Sequence, residues 1–112
     1  MAEFPTHMRK VEADIVNKLL TRILSHKDLL IRVYDGVEWA TDWTRNRAEV
    51  QRETAATDET RYCIIRIAEN GAATRIGSIL LIHGNDEDVI SDASWNPKLE
   101  DAESLIEDLM KI

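Results

Sequence analysis

Cys63, His83 and the acidic stretch Asp86-Glu87-Asp88 with Ser91 and Asp92 are the residues whose types could do chemistry. The acidic stretch superficially resembles a calcium loop. However, Ser91 stands where the EF-hand pattern needs its sixth-position glycine, and the twelfth position from Asp86 is Pro97 instead of glutamate. Its Asp and Asn side chains read instead as acceptors for loop amides. His83 ends a predicted strand beside acids, but general acid–base work needs a positioned partner and a pocket, and no pattern here supplies them. His7 and His26 are scattered, and with one cysteine they give no zinc spacing. Cys63 lies in an alternating strand and reads as a small buried hydrophobe without a lowered pKa. The expectation is a non-enzymatic protein with no catalytic residue, metal or cofactor.

Charge is more informative. The formal net charge of -7 sits wholly in residues 85–112, where nine acids (Asp86, Glu87, Asp88, Asp92, Glu100, Asp101, Glu103, Glu107, Asp108) face two lysines (Lys98, Lys111). The remaining 84 residues carry 12 acids and 12 bases. A terminal helix with so few cations forms few i,i+4 salt bridges and spends some stability in repulsion. The partner-binding candidates are therefore Asp86, Glu87, Asp88, Glu100, Asp101, Glu103, Glu107 and Asp108, facing a basic groove. Trp43 joins them as an anchor. Trp39 and Trp43 share a predicted strand face; Trp39 is expected in the core, while Trp43, close to the strand end, reads equally as core or as an exposed anchor.

Hydrophobic content of 44% and charged content of 31% are those of a globular protein, and one cysteine fits a reducing cytoplasm. A sequence pI near 4.9 argues against direct nucleic-acid binding. No apolar run reaches the ~20 residues that span a bilayer, so no membrane role is expected. Glu3-Phe4 and His7-Met8 are what cloning sites leave behind. Residues 1–8 are accordingly expected to lie outside a single domain over 9–112.

The elements that must position these residues follow from local patterns. Val11, Ile15, Val16, Leu19, Leu20, Ile23 and Leu24 recur at helical spacing over 9–26, with Glu12, Asp14, Lys18 and Arg22 on the other side. Leu29–Tyr34 and Val37–Thr44 flank Asp35-Gly36, a two-residue hairpin signal that sets Arg32 opposite Trp39 in cation–π reach. Asn46 caps a short helix to about Ala56, with Glu49 as its partner. Tyr62–Ala68 and Arg75–His83 form a second hairpin. A tight turn at Asn70-Gly71 would oppose Arg66 to Arg75, so a longer loop through Ala72 and Ala73 is expected. The apolar run Ile76–Ile82 reads as a central strand. Gly84–Asn96 reads as a loop, and Asn96-Pro97 opens the last amphipathic helix. The fold class is α+β: a four-stranded antiparallel sheet from two hairpins, its helices packed mainly on one face.

The blocks Val33-Tyr34-Asp35-Gly36-Val37-Glu38-Trp39-Ala40, Ala56-Thr57-Asp58-Glu59, His83-Gly84-Asn85 and Asp88-Val89-Ile90-Ser91-Asp92 resemble small uncharacterised proteins of phages and prophages of Gram-negative bacteria. The resemblance spans about residues 9–95. It departs between Trp39 and Ala48, where Asp42-Trp43 replaces basic or hydroxyl residues, and in the more developed acidic end. It implies a phage-borne accessory protein in a bacterial host cytoplasm but carries over no functional residue. The expected function is to bind and inhibit or modulate a host defence protein or nucleoprotein complex, as anti-CRISPR proteins that mimic nucleic acid do. The alternative is a structural accessory protein that forms a homodimer through its helices.

Overall fold

The structure is a computed structural model that describes residues 9–111. Its fold is α+β, with three helices and one antiparallel sheet of order β1-β2-β3-β4. The elements are α1 (Lys10–Ser25), β1 (Leu29–Tyr34), α2 (Arg47–Ala55), β2 (Glu59–Ile67), β3 (Ala73–Ile82), β4 (Ile90–Trp95) and α3 (Ala102–Met110), with a short 3-10 turn at Asp86–Asp88 before β4. Among the described residues, no helix is long and apolar enough to cross a membrane.

Strand alternation decides where the core lies. Leu29, Ile31 and Val33 of β1, Tyr62 and Ile64 of β2, and Ile79 and Leu81 of β3 are buried. They join Val16, Leu19, Leu20 and Ile23 of α1, Val50 of α2, and Ala102, Ile106 and Leu109 of α3 in one apolar cluster. One sheet face is thus covered by helices, and burial of each large side chain there is worth about 1.5–3 kcal/mol. The Tyr62 hydroxyl, fully buried, bonds to Thr54 of α2, and burial pushes its pKa far up.

Four expectations are corrected. Residues 37–44 are not a strand: they touch β1 only through isolated bridges, Tyr34 to Trp39 and Ile31 to Thr44. The Asp35 N–H donates to the Glu38 carbonyl, and the Asp35 carboxylate accepts from the N–H groups of Val37 and Glu38. Those two N–H groups hold the Asp35 carboxyl below its ordinary range. The turn is thereby longer than two residues, and Thr41 Oγ1 takes the Val33 N–H that a paired strand would claim. The fourth strand is instead β4, inside the segment read as a loop. The last helix begins at Ala102, not Pro97, because Asn96 Oδ1 accepts from Lys98 N–H and shapes a separate turn. Glu12, assigned to the solvent side of α1, is fully buried.

Glu12 is a clamp. One carboxylate oxygen accepts from the Arg9 N–H at 3.0 Å, and the other from Gly84 and Asp86 N–H, both at 2.7 Å. Burial alone would raise its pKa; the backbone donors, with His83 nearby, outweigh that and hold it low. Arg45 plays a similar part at the other end of α1. Its guanidinium donates to the carbonyls of Leu24, His26 and Leu29, tying the end of α1 to the start of β1.

The second hairpin has the longer loop expected, although Ala73 already pairs with Ile67 at the start of β3. Ala68 N–H donates to the Ala72 carbonyl across a longer loop, so Arg66 faces Thr74 and Arg75 faces Ile65. A register shift at Ile64/Ile65 completes this arrangement. The expected central strand, β3, pairs on both sides. Gly77 makes that possible, since a Cβ there would lie 2.1 Å from the Ser94 carbonyl oxygen of β4.

Candidate functional site

Among the described residues, no second layer covers the sheet face away from the helices. Pairing across the strands places Arg32 beside Cys63 and Cys63 beside Ser78, which in turn pairs with Ser94. The adjacent row runs Tyr34, Arg61, Leu80, Asp92. Arg75, displaced by the register shift, lies opposite Ile65. A cleft of about 530 Å³ opens on this face; Tyr34, Trp39 and Trp43 line one side, and Arg61, Arg75 and Ser94 are among its other walls.

Its electrostatics are unusual for a chain of this charge. The Arg32 guanidinium lies 4.3 Å from the Trp39 ring centre and 5.9 Å from that of Trp43. The expected Arg32–Trp39 contact therefore exists, although the two residues are not cross-strand partners. Arg61 donates to the Ser78 hydroxyl at 3.3 Å, and Ser78 and Ser94 share a hydrogen bond of 2.8 Å. Among the described residues, none of Arg32, Arg61 and Arg75 forms an ion pair with a carboxylate. Cys63 stands in their midst and is half-buried, not a core residue as expected. Burial pushes its thiol pKa up, although all three guanidiniums oppose that rise. Trp39 is 44% exposed and Trp43 36%, so neither is core.

The acidic candidates lie elsewhere, and the structure divides them. Asp86 is held in a two-pronged ion pair by Arg9 at 2.7 Å, and Asp101 by Arg66 at 2.7 Å. The hydrogen bond from Arg66 holds the Asp101 carboxyl below its ordinary range. Glu87, Asp88, Glu100, Glu103, Glu107 and Asp108 are exposed and have no cationic partner among the described residues. Glu107 and Asp108 sit near the C-terminal end of α3, whose last turn holds no base. Carboxylates there face the negative end of the helix dipole, and Glu103 and Glu107 are like charges at i,i+4.

The eight acids and Trp43 are therefore not one site. Sequence reasoning missed Arg61 and Arg75. Arg61 could have been found from its i,i-2 spacing to Cys63 on a strand, whereas Arg75 reaches the same cleft only through a register shift that no local pattern signals. Comparison with protein-family models, curated protein sequences and solved structures gives no match.

Proposed function

We propose that the chain is a non-catalytic binding protein that docks its acidic last helix onto a basic groove of a macromolecular partner. Its carboxylates would take positions where Lys and Arg otherwise receive phosphates. The resemblance to phage accessory proteins supports a bacterial host defence protein or nucleoprotein complex as that partner, with inhibition or modulation as the outcome. The observation that carries the reading is the placement of Glu107 and Asp108. Local stability favours cations in the last turn of a helix, yet two unpaired carboxylates stand there. Arrangements that cost stability are characteristic of surfaces kept for function.

The test is capture of a host protein by the immobilised chain, followed by the combined reversal Glu103→Lys, Glu107→Lys and Asp108→Lys. Capture is expected to weaken as salt rises, since exposed pairs are screened beyond about 8 Å at physiological ionic strength. The triple variant should lose it without losing stability, since lysines in the last turn suit the helix dipole. Undiminished capture by the triple variant would reduce the acidic end to solvation. A salt-insensitive dimer disrupted by changes at the partly buried Leu105 and Met110 would favour the homodimer instead.

A further inference from the structure

We propose that the cleft on the uncovered sheet face binds a small ligand joining a planar ring system to one phosphate, a nucleoside monophosphate in chemical class. This site is separate from the acidic helix and does not depend on the role proposed for it.

Three guanidiniums on neighbouring rows, without a carboxylate partner among the described residues, repel one another and leave a local deficit of negative charge. Guanidinium geometry matches phosphate oxygens two at a time, so Arg61 and Arg75 are suited to an oxyanion. Beside them, Trp39, Trp43 and Tyr34 offer ring surface, and both indoles retain exposed area. Aromatic surface at one side and Arg61 and Arg75 at the other fit a ligand with a stacking end and an anionic end. The exposed Ser94 hydroxyl, held by the buried Ser78, can exchange hydrogen bonds with a polar part of the ligand. A volume of about 530 Å³ lies within the range of small-molecule sites.

Charge also sets the size of the ligand. The chain is -7 overall, and the row through Arg61 ends at Asp92 on β4. A phosphate polymer leaving the cleft that way would run from cations onto acids. A single phosphate stays within the few ångströms over which Arg61 and Arg75 dominate.

The experiment titrates the full chain with adenosine, guanosine, cytidine and uridine monophosphates, following tryptophan fluorescence and calorimetric heat. Inorganic phosphate, the free nucleosides, a 20-nucleotide single strand and a poly-glutamate peptide serve as comparison arms. The expected result is saturable binding of at least one monophosphate, about ten-fold or more tighter than its nucleoside or phosphate alone. Arg61→Ala and Arg75→Ala should each weaken it by about ten-fold or more without moving the thermal transition. Bound ligand should also slow thiol labelling of Cys63. Absence of saturable binding at millimolar monophosphate would overturn the proposal. So would affinity that survives both arginine changes, or preference for the single strand or the peptide.

Discussion

On the helix-covered face of the sheet, Ile31, Tyr62, Ile64 and Ile79 are fully buried, while their immediate neighbours Arg32, Arg61, Cys63 and Leu80 on the opposite face keep part of their surface. The same strands build both faces from alternate residues. Only the face that meets a second layer is driven to be apolar. The other is freed from packing and can hold three arginines around a half-buried thiol. The comparison teaches that stability and recognition here occupy alternate positions of one backbone, so each can be altered with little effect on the other.

The sharpest way to break that division is a substitution on the covered side. Ile64→Ala should cost about 2–5 kcal/mol, through lost burial and the cavity left behind. Urea unfolding measures it, and a cost below 1 kcal/mol would mean that the helices do not hold this face tightly.

Glu12→Gln comes next, with about 2–3 kcal/mol expected, because an amide cannot accept from backbone donors on both of its terminal atoms. The same residue fixes an acid response. Its folded-state pKa is depressed, so its contribution is complete above the unfolded value of 4.5 and is lost as pH falls through the lower folded value. Stability of the unmodified chain should therefore fall more steeply than that of Glu12→Gln as pH drops below the unfolded value. Parallel acid limbs would show that Glu12 carries no such linkage.

The smallest effect lies on the open face. Cys63→Ser should cost no more than about 1 kcal/mol, since the thiol is only half-buried. Because burial raises its pKa, native Cys63 should react with a thiol reagent more slowly at neutral pH than a free cysteine, and faster as pH rises. Labelling as fast as in the unfolded chain would place the thiol in open water.

What was legible in the sequence was what local pattern encodes. The α1 stripe, β1, the Asn46 cap on Glu49 N–H and the like-charge argument at Arg66 and Arg75 all rest on residues close in the chain. β4 escaped because Ser91-Asp92-Ala93-Ser94 is polar and lies at a sheet edge, where no apolar alternation is required. Residues 37–44 looked like a strand because Asp35-Gly36 was read through its backbone preferences, whereas the Asp35 side chain, by capping two amides, decides the turn. Glu12 looked like a solvent residue because its loop partners lie 72 and 74 residues away. Of the candidate surfaces, the acidic end was visible as composition. The arginine cleft was not, because it exists only once three strands are in register.

That clamp has a consequence in time. Glu12 near the start of α1 reaches Gly84 and Asp86, and Arg9 reaches Asp86 across 77 positions. Joining such distant segments costs loop-closure entropy, which the pairing of β2 with β3 lowers by shortening the path from α1 to Gly84. The beginning of α1 is then among the last pieces to lock, and contacts made late act mainly on the rate of unfolding. Glu12 and Arg9 thus set how long the folded chain survives more than how fast it forms.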